Sequence, residues 1–354
     1  MTCRKKTKDS KPLWKVLLKW FLTITLTTTV ISSILIWVVL PVAFWLSVAF
    51  QTFAVFMPID FPKNPNFNNP QQYNITGVKN FYITVKDYYN NETLTQIGAW
   101  LVLPKGLNKS EDVSDIIRKS EYDILIYSHG VLANRARYIL QYEVFRRYFL
   151  VLAMDHRGYG DSGQNVPMTE LGIVNDHLQI YDWLTQKNFS RNIYYWGHSM
   201  GAAITCHTLK TLKSQRNFTP KGVIFESAFT SLQEQIVNMF LGKVFKWLPY
   251  FDATILRPLA ANELRFDSIN NILHVDCPIM MLHAQDDGVI PYFLGEKLAR
   301  VARSQRDLAK QGNVTFHLIP SSGNCNHDKI LTYPDVPSYI ENFKEVCELF
   351  KEST

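Results

Sequence analysis

From Trp20 to Ile59 the chain carries no Asp, Glu, Lys or Arg, and Leu, Ile, Val, Phe, Trp and Thr dominate the stretch. A bilayer core takes roughly 20 apolar residues of helix. The spacing therefore predicts one transmembrane helix near Trp20 to Leu40, with Pro41 marking its end or a kink. A cleaved signal peptide would have an apolar region of about 7 to 15 residues close to the start. This one is longer and begins later, so a signal anchor is the reading. Val42 to Met57 is still apolar and aromatic, with Phe44, Trp45, Phe50, Phe53 and Phe56. It either returns across the membrane or lies along the interface, and the lack of a polar turn between the halves favours the interface.

Charge orients the anchor. Arg4, Lys5, Lys6, Lys8, Lys11, Lys15 and Lys19 face Asp9 alone in residues 1–20, which accounts for the whole formal charge of +6. The rest of the chain balances at 30 acidic and 30 basic residues, so nothing suggests a nucleic-acid-binding face. Basic residues ahead of a span stay cytosolic. That predicts a type II arrangement: a basic cytosolic tail over 1–19, an anchor over 20–40, an interfacial linker over 41–78 and a soluble domain over 79–350 on the far side. Six N-x-S/T sequons, at Asn74, Asn91, Asn108, Asn188, Asn217 and Asn313, all follow the anchor and none precedes it. That placement fits a glycosylating compartment. Five cysteines in 354 residues, with neither CxxC nor HExxH spacing, exclude a disulfide scaffold and those redox or zinc motifs.

Beyond the anchor, short β-rich runs recur at Phe81 to Val85, Ile97 to Leu103, Tyr122 to Ser128, Phe149 to Asp155, Asn192 to Trp196, Gly222 to Glu226, Pro278 to His283 and Val314 to Ile319. The later ones are apolar nearly throughout, as strands covered on both faces are. Helical patterns lie between and after them, at Asn134 to Tyr148, Thr169 to Gln186, Gly201 to Leu212, Pro291 to Ala302 and Val336 to Phe350. The alternation predicts an α/β domain with an eight-stranded, mostly parallel sheet. About 228–276 contains no clear strand and reads as an inserted helical cap.

Gly197-His198-Ser199-Met200-Gly201 follows one strand run and opens a helix. A serine at such an elbow is held strained above the sheet edge, with glycines where side chains would collide, which makes Ser199 the candidate nucleophile. A serine hydroxyl needs a base, and the base needs an acid to fix its tautomer, in the chain order Ser, acid, His. His317 lies inside the last strand and reads as a sheet histidine. His327, in the loop beyond, is the candidate base. The acid comes from Asp286 or Asp287, and the spacing to Val289 and Pro291 favours Asp287. Backbone N–H groups of Met200 and Val131 are the candidate oxyanion donors. His129 and His198 have no third ligand spaced to complete a metal site, so loop-orienting roles are expected; no metal or cofactor is called for. Gly158-Tyr159-Gly160-Asp161-Ser162-Gly163 matches GxGxxG, but Pro167 interrupts before any helix begins, so a tight turn is expected rather than a dinucleotide site.

Asp155-His156-Arg157-Gly158-Tyr159-Gly160-Asp161-Ser162, the elbow at Gly197 to Gly201, Pro249-Tyr250-Phe251-Asp252, Cys277-Pro278 and the Leu282 to Pro291 loop together resemble the family of α/β-hydrolase domain-containing protein 12. The resemblance runs from the anchor to about Phe350. It implies an α/β-hydrolase fold and an endoplasmic reticulum membrane serine hydrolase acting on lysophospholipids, above all lysophosphatidylserine, and on monoacylglycerols. It also places the acid and base at Asp287 and His327. Two local departures stand out. The oxyanion loop reads His129-Gly130-Val131-Leu132-Ala133-Asn134-Arg135 where the family has an H-G-N-A-G-type run, and the base lies in Asn326-His327-Asp328-Lys329 rather than an R-H-K context. The expected partners are a lipid substrate and the bilayer. An acyl-protein thioesterase, or an inactive fold serving as a membrane scaffold, are the alternatives.

Overall fold

Five strands are buried at every position: Ile124–Ser128, Leu150–Met154, Ile193–His198, Gly222–Glu226 and Ile279–Ala284. Only a sheet covered on both faces allows that. In this computed structural model, residues 12–107, 111–308 and 310–350 are described. Most of the basic tail and the sequon at Asn108 lie outside them. The strands, in chain order β1 (Val78–Lys86), β2 (Leu94–Val102), β3 (Ile124–Ser128), β4 (Leu150–Met154), β5 (Ile193–His198), β6 (Gly222–Glu226), β7 (Ile279–Ala284) and β8 (Val314–Ile319), form one sheet ordered β1-β2-β4-β3-β5-β6-β7-β8. β1 pairs with β2 and β2 with β4 antiparallel, and every other pairing is parallel.

The helices are α1 (Leu13–Ile34), α2 (Leu40–Leu46), α3 (Val48–Phe56), α4 (Val113–Lys119), α5 (Ile139–Phe145), α6 (Glu170–Gln186), α7 (Met200–Arg216), α8 (Leu232–Asn238), α9 (Phe240–Phe245), α10 (Arg257–Ala261), α11 (Ser268–Asn271), α12 (Tyr292–Gln305) and α13 (Val336–Leu349). Alternation along the strands divides the core. Ile124 and Ile126 of β3 pack with Leu178, Leu209 and Leu298 from α6, α7 and α12. Leu125 and Tyr127, one residue out of phase, pack with Phe145, Ile340 and Phe343 from α5 and α13. A third cluster joins Phe44 and Phe56 to Met200, Phe229, Leu259 and Phe266, so the post-anchor segment, the elbow and the helices between β6 and β7 share one apolar core.

Pro41 does not end the apolar helix. Helical backbone runs from Leu13 to Leu46, 34 residues with a mean hydropathy of 2.3 over its most apolar window. That length is about 50 Å at 1.5 Å per residue, enough to cross a bilayer core of about 30 Å with tilt. The proline is absorbed by a π-turn at Leu35–Val39, where the Leu40 N–H reaches back to Leu35 O. Pro41 has no N–H for the carbonyl of Trp37 four residues earlier, and that carbonyl accepts the hydroxyl of Tyr250 instead. The break comes at Ser47, whose Oγ accepts from Phe50 N at 3.2 Å and caps α3, as serine does at helix starts. The nine residues of α3 measure about 13 Å, too short to cross.

The helix expected from Asn134 begins only at Ile139. Asn134 and Arg135 are instead tied into the fold, the former to Pro62 O at 3.1 Å and the latter to Asp161 at 2.8 Å. The GxGxxG run is a turn: Gly158, Gly160 and Gly163 all have positive φ, and α6 starts at Glu170. Its flanking charges are spent on buried ion pairs, Arg135 with Asp155 and Arg157 with Asp87 and Asp176.

Candidate active site

The elbow lies where β5 passes into α7. Ser199 has φ 55° and ψ −121°, backbone that a non-glycine residue adopts only when its surroundings force it. A Cβ on Gly197 would lie 2.5 Å from Gly201 O, and one on Gly201 would lie 2.1 Å from Ser128 O. These contacts give the physical reason for glycine at both positions.

His327 and Asp287 meet. His327 Nδ1 lies 2.8 Å from Asp287 Oδ2, and Asp287 Oδ1 accepts from the N–H groups of Val289 and Ile290, each at 2.8 Å. Burial alone would raise the Asp287 carboxyl; hydrogen bonds from His283 and His327 outweigh it and hold the group well below the usual carboxylate range. Asp286 turns elsewhere, its Oδ1 accepting from Asn326 N at 3.1 Å. Among the described residues no hydrogen bond joins Ser199 to His327, a contact that often tightens only with substrate bound. His317 stacks on Tyr339 at 4.0 Å, remote in role from the elbow.

The loop bearing Val131 is anchored from behind. The backbone N–H of His156 donates to His129 Nε2 at 3.1 Å, so the ring proton sits on Nδ1 and is donated to Gly130 O at 2.7 Å. A trans peptide points its N–H opposite its C=O, so this bond sets the direction of the Val131 N–H. A Cβ on Gly130 would sit 3.0 Å from Ser199 Cβ, which brings the loop against the elbow. Met200 is the first residue of α7, and its N–H therefore has no acceptor within the helix.

His129 and His198, the two histidines expected from sequence to orient loops, fall in separate clusters. His129 stacks on His156 at 4.3 Å, and His156 on His177 at 5.3 Å. Burial holds all three neutral, lowering His129 to about 4 and His177 to about 3, with His156 also well below the usual range. His198 lies between carboxylates, its Nδ1 3.6 Å from Glu226 Oε1 and its Nε2 3.4 Å from Asp328 Oδ1. Burial would lower the His198 imidazole, but Glu226 and Asp328 outweigh it and push it up to about 9.

Ser199, Met200 and Val131 line one cavity of about 260 Å³, walled by Phe229, Leu232 and Ile236. The segment between β6 and β7, with Val289 and Ile290, supplies most of the rest, and one wall comes from Phe44, at the end of the long apolar helix, and from Ala54, Val55 and Met57, which follow it. Sequence reasoning missed this wall, because an apolar run beside an anchor reads as membrane contact. It also missed Glu226 and Asp328. A charged residue closing the apolar run of β6 was the available signal for Glu226, since parallel register sets it beside His198.

Solved structures share this fold: an esterase of Pyrococcus furiosus at 16% identity and TM-score 0.54, covering 78% of this chain and 92% of its own, and Est1E of Butyrivibrio proteoclasticus at 17% and TM-score 0.51, covering 74% and 96%. Residues 120–270 match the family model described as serine aminopeptidase, S33. Fold and elbow define a serine hydrolase of the α/β-hydrolase class. The lysophosphatidylserine lipase ABHD12 of Danio rerio is 30% identical over 88% of this chain and 83% of its own, and that of Xenopus tropicalis is 28% identical over 83% and 76%. The chain belongs to the ABHD12 lysophosphatidylserine lipase family.

Proposed function

We propose that this protein is a membrane-anchored lipase that removes the single acyl chain of lysophospholipids, lysophosphatidylserine in particular, and of monoacylglycerols. The observation that carries the reading is the cavity at Ser199, apolar over nearly its whole lining and walled on one side by α2, the end of the apolar helix, and by α3, which directly follows it in the chain. A one-chain amphiphile suits that shape: the acyl chain fills the cavity and the polar headgroup stays outside it. The relatives' names support lysophosphatidylserine as the substrate.

In the proposed mechanism Ser199 Oγ attacks the ester carbonyl while His327 Nε2 takes its proton. Asp287 holds the His327 Nδ1–H and stabilises the imidazolium that forms. The N–H groups of Met200 and Val131 receive the oxyanion. Collapse breaks the bond to the glycerol oxygen, which takes the proton from His327 and leaves as the deacylated headgroup. Water, deprotonated by His327, then attacks the acyl-enzyme and releases the fatty acid. Ser199→Ala should remove activity and fluorophosphonate labelling, a loss on the order of a million-fold in turnover. The discriminating test is a panel of lysophosphatidylserine, monoacylglycerol, a two-chain phospholipid and a palmitoyl-cysteine peptide in one detergent. The first two should be cleaved fastest, and preference for the acylated peptide would make the protein a thioesterase instead.

We assign the anchor type II topology in the endoplasmic reticulum membrane, with the catalytic domain luminal. The basic flank before the helix and the sequons after it support that orientation.

A further inference from the structure

His198, His327 and Asp328 each offer one ligand atom, and the three atoms lie within 4.8 Å of one another. Zinc bonds of about 2.0 to 2.2 Å in a tetrahedron put ligand atoms roughly 3.4 Å apart, the spacing that already separates His198 Nε2 from Asp328 Oδ1 at 3.4 Å. His327 and Asp328 are held from behind by hydrogen bonds in the manner of metal ligands, and His198 has a carboxylate behind it just beyond hydrogen-bond reach. His327 rests its Nδ1 on Asp287 at 2.8 Å, and His198 faces its Nδ1 to Glu226 at 3.6 Å. Asp328 Oδ2 is fixed by Arg137 at 2.9 Å, which leaves Oδ1 toward His198. Carboxylates behind imidazoles and hydrogen bonds behind a carboxylate are the outer contacts that orient metal ligands and raise their basicity.

We propose that His198 Nε2, His327 Nε2 and a carboxylate oxygen of Asp328 bind a zinc-class divalent cation, and that the bound cation inhibits the hydrolase. Two imidazoles and one carboxylate are a zinc-type ligand set with a fourth position open to solvent. Magnesium and calcium take oxygen ligands in larger number, which this cluster does not supply. The Asp328 side chain is 44% exposed, so an ion reaches the site from solvent. Three carboxylates, of Asp287, Glu226 and Asp328, surround it, offset in part by the guanidinium of Arg137 and by the proton that His198 gives up when an ion binds. Binding displaces any proton on the two Nε2 atoms to solvent. It also occupies the lone pair with which His327 would take the Ser199 proton. The binding half rests on this geometry alone; the inhibitory half rests on His327 being the base.

Two measurements on the full chain in detergent separate the halves. Calorimetric titration of Ser199→Ala with zinc chloride reads binding without turnover. Hydrolysis of a short-chain ester by wild type, with zinc, magnesium or calcium chloride added, reads inhibition. Zinc should bind one site and inhibit in the same concentration range, with reversal by a chelator and no effect of magnesium or calcium. Asp328→Ala and the closer-shaped Asp328→Asn, each compared with its own metal-free rate, should weaken binding and raise the half-inhibitory zinc concentration by about tenfold or more. Failure of zinc to bind, or binding and inhibition unchanged by both Asp328 substitutions, would overturn the site. Binding that responds to Asp328 but leaves turnover untouched would overturn the inhibition and remove His327 from the ligands, while the role of His327 as base is tested separately by His327→Ala.

Discussion

Asp286 and Asp287 differ by one position and by everything their oxygens touch. Asp287 is buried and turns one oxygen to His327 and His283 and the other to two backbone N–H groups, whereas among the described residues Asp286 bonds only the backbone of Asn326. Asp287→Asn should therefore lower turnover by about 10⁴-fold by disturbing the His327 tautomer, with Asp286→Asn far milder; steady-state rates on one lysophospholipid check the ranking. The buried histidines allow a second test. An imidazole whose folded pKa is depressed adds nothing above its unfolded value, near 6.5. Below that value the unfolded chain binds a proton that the folded chain refuses, so stability falls with pH. His177, lowered to about 3, should impose this loss from about pH 6.5 downward. Melting temperatures of wild type and His177→Gln should therefore diverge against the wild type as pH drops from about 6.5 to about 4. Ser199 was legible in sequence because an elbow demands glycines on both sides. Glu226 and Asp328 were not, since their partner His198 is reached only across a strand pairing and a distant loop.

At the scale of elements, the five central strand runs were readable because burial on both faces leaves an uninterrupted apolar signature, and β1, β2 and β8, partly exposed, were readable from their β-branched and aromatic residues. α4 was not, being seven residues with both acidic and basic members. The segment after the anchor shows where periodicity fails. α2 and α3 are apolar but for Gln51 and Thr52, so no regular stripe indicates which face packs against protein. The folded chain decides it: Phe56 is fully buried, its ring 5.8 Å from Phe266, and Gln51 is paired to Asn262 at 2.6 Å. If Val55 of α3 walls the acyl site, Val55→Trp should shorten the chain the enzyme accepts. The ratio of kcat/KM for a long-chain to an acetyl ester should fall by about tenfold or more, since a methylene or two in an apolar pocket is worth that much. An unchanged ratio would remove α3 from the substrate site.

The long apolar helix, the proposed anchor, is joined to the rest of the molecule by more than its chain connection. The Trp37 ring packs tilted against Phe245 at 5.1 Å and edge-on against Trp247 at 5.5 Å, and its backbone carbonyl accepts from the Tyr250 hydroxyl, which ties the apolar helix to the segment between β6 and β7. A rigid junction of this kind would set the Ser199 cavity at a fixed height beside the bilayer, so orientation of the whole protein follows from orientation of α1. Lys15 and Lys19 lie within the first turns of that helix, and in the proposed topology such basic residues favour the cytosolic side for this flank. The asparagines at 74, 91, 188, 217 and 313 are all exposed, as sites open to glycosylation must be. Protein made in the presence of microsomes should therefore lose apparent mass on endoglycosidase treatment, and replacing the sequon asparagines with glutamine should abolish that shift. Protease added to intact microsomes should spare everything beyond the anchor and cut it only after detergent opens the vesicles. An unglycosylated chain whose carboxy terminus is cut in sealed vesicles would place the catalytic domain in the cytosol, where the same cavity would draw its lipid from the opposite leaflet.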